Sequence, residues 1–277
     1  MLFKNFQKGF SAKLLMASTA IALTGAFSAC TLSEPNNGDS ESVRLISILS
    51  SSMTLYDIQY DSQGRPVQIN DREYDARYII SYAPFELVIE EGAPKDAMDA
   101  DSDEMYMEYR TVISDGTFNN AGYLTGATIT ETEYDVDGNV ISQESSPLVL
   151  RYDNFGHLIS YIDDGEVVFS YDWDINGNLT SYTTDSGTVT IKYGTTPNPN
   201  LQWTPFWDNI GPFRLTGLFG VAPAYMPASW VEDNGMADDG SYISRKWAYQ
   251  LTDAGWIQAV QEVVEGYSQV FNFRYSK

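Results

Sequence analysis

A recurring unit of tyrosine, aspartate and glycine constrains this chain more than any other feature. Tyr60-Asp61-Ser62-Gln63-Gly64 is one copy, and Tyr134-Asp135-Val136-Asp137-Gly138 and Tyr152-Asp153-Asn154-Phe155-Gly156 are others. Tyr171-Asp172-Trp173-Asp174-Ile175-Asn176-Gly177 is a longer variant, and Tyr249 to Gly255 a degenerate one. Alternating apolar residues lead into the tyrosines, as at Tyr56, Ile58 and Tyr60, at Leu148, Leu150 and Tyr152, and at Val189, Ile191 and Tyr193. A period of two places each trio on one face of a strand. The Asp, Asn and Gly that follow favour turns: the short carboxyl or amide bonds nearby amides, and glycine accepts positive φ. Each unit therefore reads as a β-hairpin in which the Tyr closes the inward row and the Asp opens the turn.

Successive units lie 18 and 19 residues apart (Tyr134, Tyr152, Tyr171), room for two strands and two turns. The chain then holds about a dozen strands, and a twisted sheet of more than about ten strands tends to curl or split. The expected fold is mainly β, a curled antiparallel meander of these hairpins that wraps into a half-open shell or a barrel. Residues 194–236 break the rhythm with Pro197, Pro199, Pro205, Pro212, Pro223 and Pro227, set among Trp203, Phe206, Trp207, Phe213, Phe219 and Trp230. Prolines at this density oppose central strands. This segment reads as an insertion packed on the concave face, with room for a short helix between Phe206 and Leu218.

The N-terminus reads as an address. Lys4, Lys8 and Lys13 precede an apolar run from Leu14 to Phe27, with no acidic residue before Cys30. A basic start, a greasy middle and small residues before a cut form a secretory signal over 1–29, too short for a membrane span. Phe27-Ser28-Ala29-Cys30 resembles the lipobox of bacterial lipoproteins, in which the Cys carries a diacylglycerol and becomes the mature N-terminus. Phe27 departs from the usual Leu. The resemblance implies a membrane anchor at Cys30 and an outer-membrane location, facing the periplasm or the cell surface. Residues 30–50 then read as the lipidated Cys and a polar tether, and 51–277 as a single β domain.

The Tyr-Asp-x-x-Gly hairpins are similar to the YD repeats of Rhs-type bacterial surface proteins. Together with the lipobox, the segment Asn198-Pro199-Asn200-Leu201 and a closing hairpin from Tyr249 to Tyr275, they resemble a Bacteroides-type lipoprotein family of unknown function. The resemblance spans most of 51–277 and transfers no catalytic residue.

Composition excludes several classes. With 38 acids against 16 basic residues and a net charge of −22, the chain repels phosphate backbones, so nucleic acid is not an expected partner. One Cys and one His exclude a disulfide framework, a Cys-rich zinc site and a multi-histidine metal centre. His157 follows a turn glycine, at a position occupied by Arg65, Asn139 and Asn178 elsewhere, and reads as a surface turn residue. No G-x-S-x-G elbow accompanies it.

Asp172-x-Asp174-x-Asn176-Gly177 matches the opening of a calcium loop, but Thr183 stands where the bidentate Glu belongs, so a hairpin turn is the preferred reading. The acidic run from Asp96 to Glu104 reads as a solvated loop. No cofactor is expected, and no local carboxylate pair selects a hydrolase. Trp203, Phe206, Trp207 and Trp230 are the candidate binding surface, since Trp and Tyr stack on sugar rings; the competing reading makes them the plug of the curled sheet. The expected function is a lipid-anchored envelope module that binds a glycan, a peptide or an envelope component. The alternatives are a structural or assembly protein without a small ligand, and an enzyme using paired carboxylates.

Overall fold

The computed structural model describes residues 43–50, 53–95, 104–184, 187–233, 242–264 and 266–276. Cys30 and the acidic residues 96–103 lie outside them. Alternating sequences form sixteen strands: β1 (Arg44–Ser50), β2 (Met53–Tyr60), β3 (Pro66–Asp71), β4 (Ala76–Tyr82), β5 (Phe85–Pro94), β6 (Met105–Phe118), β7 (Leu124–Tyr134), β8 (Val140–Tyr152), β9 (Leu158–Asp163), β10 (Glu166–Trp173), β11 (Leu179–Thr183), β12 (Thr188–Pro197), β13 (Tyr225–Asp233), β14 (Tyr242–Leu251), β15 (Ile257–Val264) and β16 (Tyr267–Ser276). Each pairs antiparallel with its neighbours in the chain, and β1 pairs with β16, which closes the sheet into a barrel.

Of the two shapes expected from the repeats, the barrel is the one observed. The strand count exceeds the dozen read from the tyrosines, because β1, β13 and several partner strands carry no Tyr-Asp-Gly signature. β1 lies within the stretch 30–50 read as tether; Ile48, fully buried, faces the interior and pairs with Phe273 and Tyr56. β13 crosses the proline-rich insertion despite Pro227. Its ladder with β12 shifts register at Tyr193 and Pro227, a bulge where a residue without an N–H is tolerated.

The turns have one construction. Asp61 Oδ1 accepts the amides of Gln63 and Arg65, each at 2.9 Å, while the Gly64 amide donates to the Asp61 carbonyl. Gly64 has φ of +80°, which a side chain would strain. Asp135, Asp153 and Asp174 repeat this pattern, and so does Asn119, which follows Phe118 in place of a tyrosine. A tyrosine near the end of a strand does more than close the inward row. The hydroxyls of Tyr82, Tyr152, Tyr193 and Tyr275 each donate to the first carbonyl of the strand before their own: Pro66, Leu124, Leu179 and Ile257, at 2.8–3.0 Å. The β7–β8 and β11–β12 ladders end at Gly126 and Ser181, short of Leu124 and Leu179, and the phenols of Tyr152 and Tyr193 satisfy those carbonyls.

Residues 198–224 run from β12 to β13 through the barrel interior. Phe206 stacks on Phe271 of β16 at 4.2 Å and meets Tyr56 of β2 at 6.3 Å; Phe213 meets Tyr78 of β4 at 5.4 Å. The Trp207 indole donates to Tyr249 of β14, and Tyr171 of β10 donates to Asn209. A segment touching strands all round the wall is a plug, and its single 3₁₀ turn, Gly211–Thr216, is buried over its first four residues. Asn198, 2% exposed, staples the plug's two ends by donating to the Gln202 and Pro223 carbonyls, both at 2.9 Å.

The outer face is largely polar: Asp57 and Gln59, Gln68 and Asn70, Thr128 and Thr130, Thr188, Thr190 and Lys192, and Asn272 and Arg274 alternate with the buried rows. Two cross-strand rows interrupt it: Ile79, Val88 and Val112, and Val149, Ile162 and Val167. A membrane-spanning barrel has the reverse polarity, with an apolar outer band about 25 Å tall and a polar lumen.

Candidate functional site

One end of the barrel carries most of the Asp-Gly turns and the ends of the plug. There a cavity of about 250 Å³ opens between the plug and the wall. Its aromatic lining is Trp203 from the plug, Tyr60 from β2, Phe273 and Tyr275 from β16 and Trp256 from the turn between β14 and β15. Gln202 locks this corner: its Oε1 accepts the Ile257 amide and the Tyr275 hydroxyl, and its Nε2 donates to the Gly255 carbonyl, all at 3.0 Å. Burial pushes the Tyr60 phenol up to about 12, partly offset by Arg44, so it is a neutral hydroxyl at physiological pH.

Trp203 is 8% exposed, and its indole N–H has no hydrogen-bond partner. An unmet buried donor costs about 1–3 kcal/mol. Behind it, Arg214 lies 4.1 Å over the Trp203 ring and is held by Asp208, with Nε at 2.8 Å and Nη2 at 2.7 Å from Oδ2; neither side chain is exposed. The cavity therefore offers aromatic faces and the side-chain amides of Asn200 and Gln202, backed by a neutralised charge pair.

The four residues chosen from the sequence separate. Trp203 lines the cavity. Trp207, with no exposure, and Trp230, whose indole donates to Tyr182 at 3.0 Å, are core side chains, and Phe206 is half-buried against Phe271. Of the tryptophans read from the sequence as candidates for one concavity, Trp203 and Trp256 line it, and they are joined by Tyr60 and Tyr275, which no sequence signal separated from the other aromatics. Asp172 faces outward and accepts from Ser181, while Asp174 accepts from Asn176 and from both nitrogens of Asn178. Both carboxylates of the would-be calcium loop thus serve the hairpin. Among the described residues no three Asp, Glu, His or Cys side chains come together as a metal site needs.

His157 is not the surface residue expected. It is 8% exposed, stacks on Trp173 at 4.2 Å and bonds Asp153 Oδ2 at 2.8 Å, because the plug's exit crosses its turn, where the Val221 amide donates to the Gly156 carbonyl.

The opposite end of the barrel is lined by acids. Glu262, 1% exposed, accepts from Arg245, Trp247 and Gln269. Asp71 faces inward on β3, 1% exposed, and burial first, then the charge of Glu73, pushes its carboxyl up to about 8. Burial also raises Glu73 and Glu232, with Arg245 opposing both.

These observations define a class: a closed, up-and-down antiparallel barrel of sixteen strands with a polar outer wall and an aromatic plug. No protein-family model matches the chain, and no curated protein matches it. Among solved structures it is similar to a porin-like protein from Bacteroides uniformis ATCC 8492, at 14% identity and a TM-score of 0.50, over 84% of this chain and 96% of that one. At that identity the likeness is one of fold.

Proposed function

We propose that this protein is a lipid-anchored module of the outer membrane that binds a small glycan at the plugged end of its barrel. The observation that carries the reading is the unpartnered, buried Trp203 indole in a cavity walled by Trp256, Tyr60 and Tyr275. Sugar rings present apolar faces that stack on aromatics and oxygens that accept an indole proton. The cavity's 250 Å³ suits one or two sugar rings, which favours a glycan over an extended peptide.

The polar outer wall supports attachment through an anchor rather than through the strands. Cys30 supplies that anchor; the acyl chains contribute about 0.8 kcal/mol per buried CH₂. The porin-like neighbour supports an envelope setting by fold alone, and the plugged interior argues against conduction.

Tryptophan emission of the full chain in detergent, titrated with neutral mono- and disaccharides, tests the site. A saturable shift that is lost in Trp256→Ala supports it. No shift with any sugar would reject the glycan reading in favour of a structural role. Cys30→Ser is expected to move the protein from the membrane fraction to the soluble one.

A further inference from the structure

The acid-lined end of the barrel holds two buried polar atoms without partners. Asp71 Oδ1 accepts the Glu73 amide at 3.0 Å, but Oδ2 accepts nothing. Tyr78 is 1% exposed, and its hydroxyl has no hydrogen bond. Register brings the two together: Asp71 pairs with Tyr56 and Ala76, and Tyr78 is the diagonal neighbour on the same inward face, within side-chain reach. The rings of Tyr56 and Tyr78 rest on plug residues Phe206 and Phe213, so Asp71 lies just beyond the plug. Glu73, in the next turn, is solvent-exposed, yet burial by the surrounding wall raises its carboxyl pKa.

We propose that this end of the barrel binds an organic ammonium ion, seated on Asp71 Oδ2 and Tyr78 Oη with Glu73 at the entrance. An ammonium brings three N–H donors and no acceptor, which matches two unpartnered acceptors and a nearby carboxylate. The faces of Tyr56, Tyr74 and Tyr78 suit a cation. A bare metal ion fits less well, since no three ligating side chains converge among the described residues. The wider acidic rim, including Glu91 and Glu232, draws cations toward the opening.

Asp71 holds a proton until about pH 8, so seating a cation there expels it. The groups facing Asp71 are Tyr56 on β2, Glu73 and Tyr74 in the following turn, Tyr78 on β4 and Glu91 on β5. Their phenols are raised by burial and by Asp71 itself, and the acids oppose its ionisation. Arg245 faces Glu73, and the plug's Arg214 is committed to Asp208. Surface carboxylates, already ionised, release no proton when they attract a counterion.

The test is calorimetric titration of putrescine into the full chain in detergent, in phosphate and in HEPES, from pH 6 to 8. The expected result is saturable binding with about one proton released at pH 7, and affinity rising nearly tenfold per unit below pH 8. Asp71→Asn should lower the affinity at least tenfold and abolish the release, whereas the exposed Glu86→Gln should change neither. Binding without proton release would overturn the proposal, and so would release that persists in Asp71→Asn. Calcium chloride alone giving the same release would overturn the ammonium assignment. The proton count on the unaltered protein decides the matter even where Asp71→Asn fails to fold.

Discussion

Replacing Arg214 by alanine should destabilise the barrel by about 3–5 kcal/mol, the usual cost of breaking a fully buried ion pair. The structure sets the scale. Arg214 and Asp208 have no exposed side-chain area, and two guanidinium nitrogens lie within 2.8 Å of Asp208 Oδ2. Arg214 also donates to the Phe219 carbonyl and covers the Trp203 ring. Alanine leaves Asp208 buried without a counter-charge, leaves that carbonyl unmet, and opens a void beneath the cavity. For a domain of this size the loss corresponds to a melting point lower by roughly 10 °C. Urea unfolding followed by tryptophan emission measures it. The double substitution Arg214→Met with Asp208→Leu removes both charges while keeping most of the volume, and should recover most of the loss. The reasoning fails if Arg214→Ala lies within about 1 kcal/mol of the parent, or if the double variant is no more stable than the single one.

Asp71→Asn should change how stability depends on pH. The folded carboxyl titrates at about 8 against an ordinary 3.8, so its contribution is fully present below about pH 4 and is lost as pH rises to 8, by at most about 5 kcal/mol. The Asn variant should gain on its parent between urea midpoints at pH 5 and pH 8; parallel curves would refute the assignment. Tyr193→Phe removes the hydroxyl that serves the Leu179 carbonyl and should cost about 1 kcal/mol in urea unfolding, without altering far-ultraviolet circular dichroism. Gly220 has φ of +92°, and an added Cβ would lie 2.7 Å from the Gly156 carbonyl oxygen; Gly220→Ala should therefore cost at least about 2 kcal/mol and speed proteolysis within 198–224.

Local order was legible in the residues. Alternation before Tyr60, Tyr152 and Tyr193 marks strands because side chains on a pleated strand point to opposite faces whatever lies beyond. The Asp and Gly that follow mark turns because the Asx hydrogen bonds close within five residues. The antiparallel meander follows from hairpins too short for any other connection. Proline density marked 194–236 as an interruption, although Pro227 sits at a bulge and the chain resumes pairing around it.

Tertiary structure decided what local rules leave open. Closure depends on β1 meeting β16, a pairing across most of the chain that no window of sequence contains. Which tryptophans are core and which face the cavity depends on how the plug seats against five distant strands. Trp203 and Trp207 stand four residues apart in the same aromatic run, yet only Trp203 lines the cavity. The two functional proposals share that origin. The Trp203 indole and Asp71 Oδ2 are chemically notable because the folded barrel withholds partners from them, and a missing partner is a property of three-dimensional packing, not of residue order.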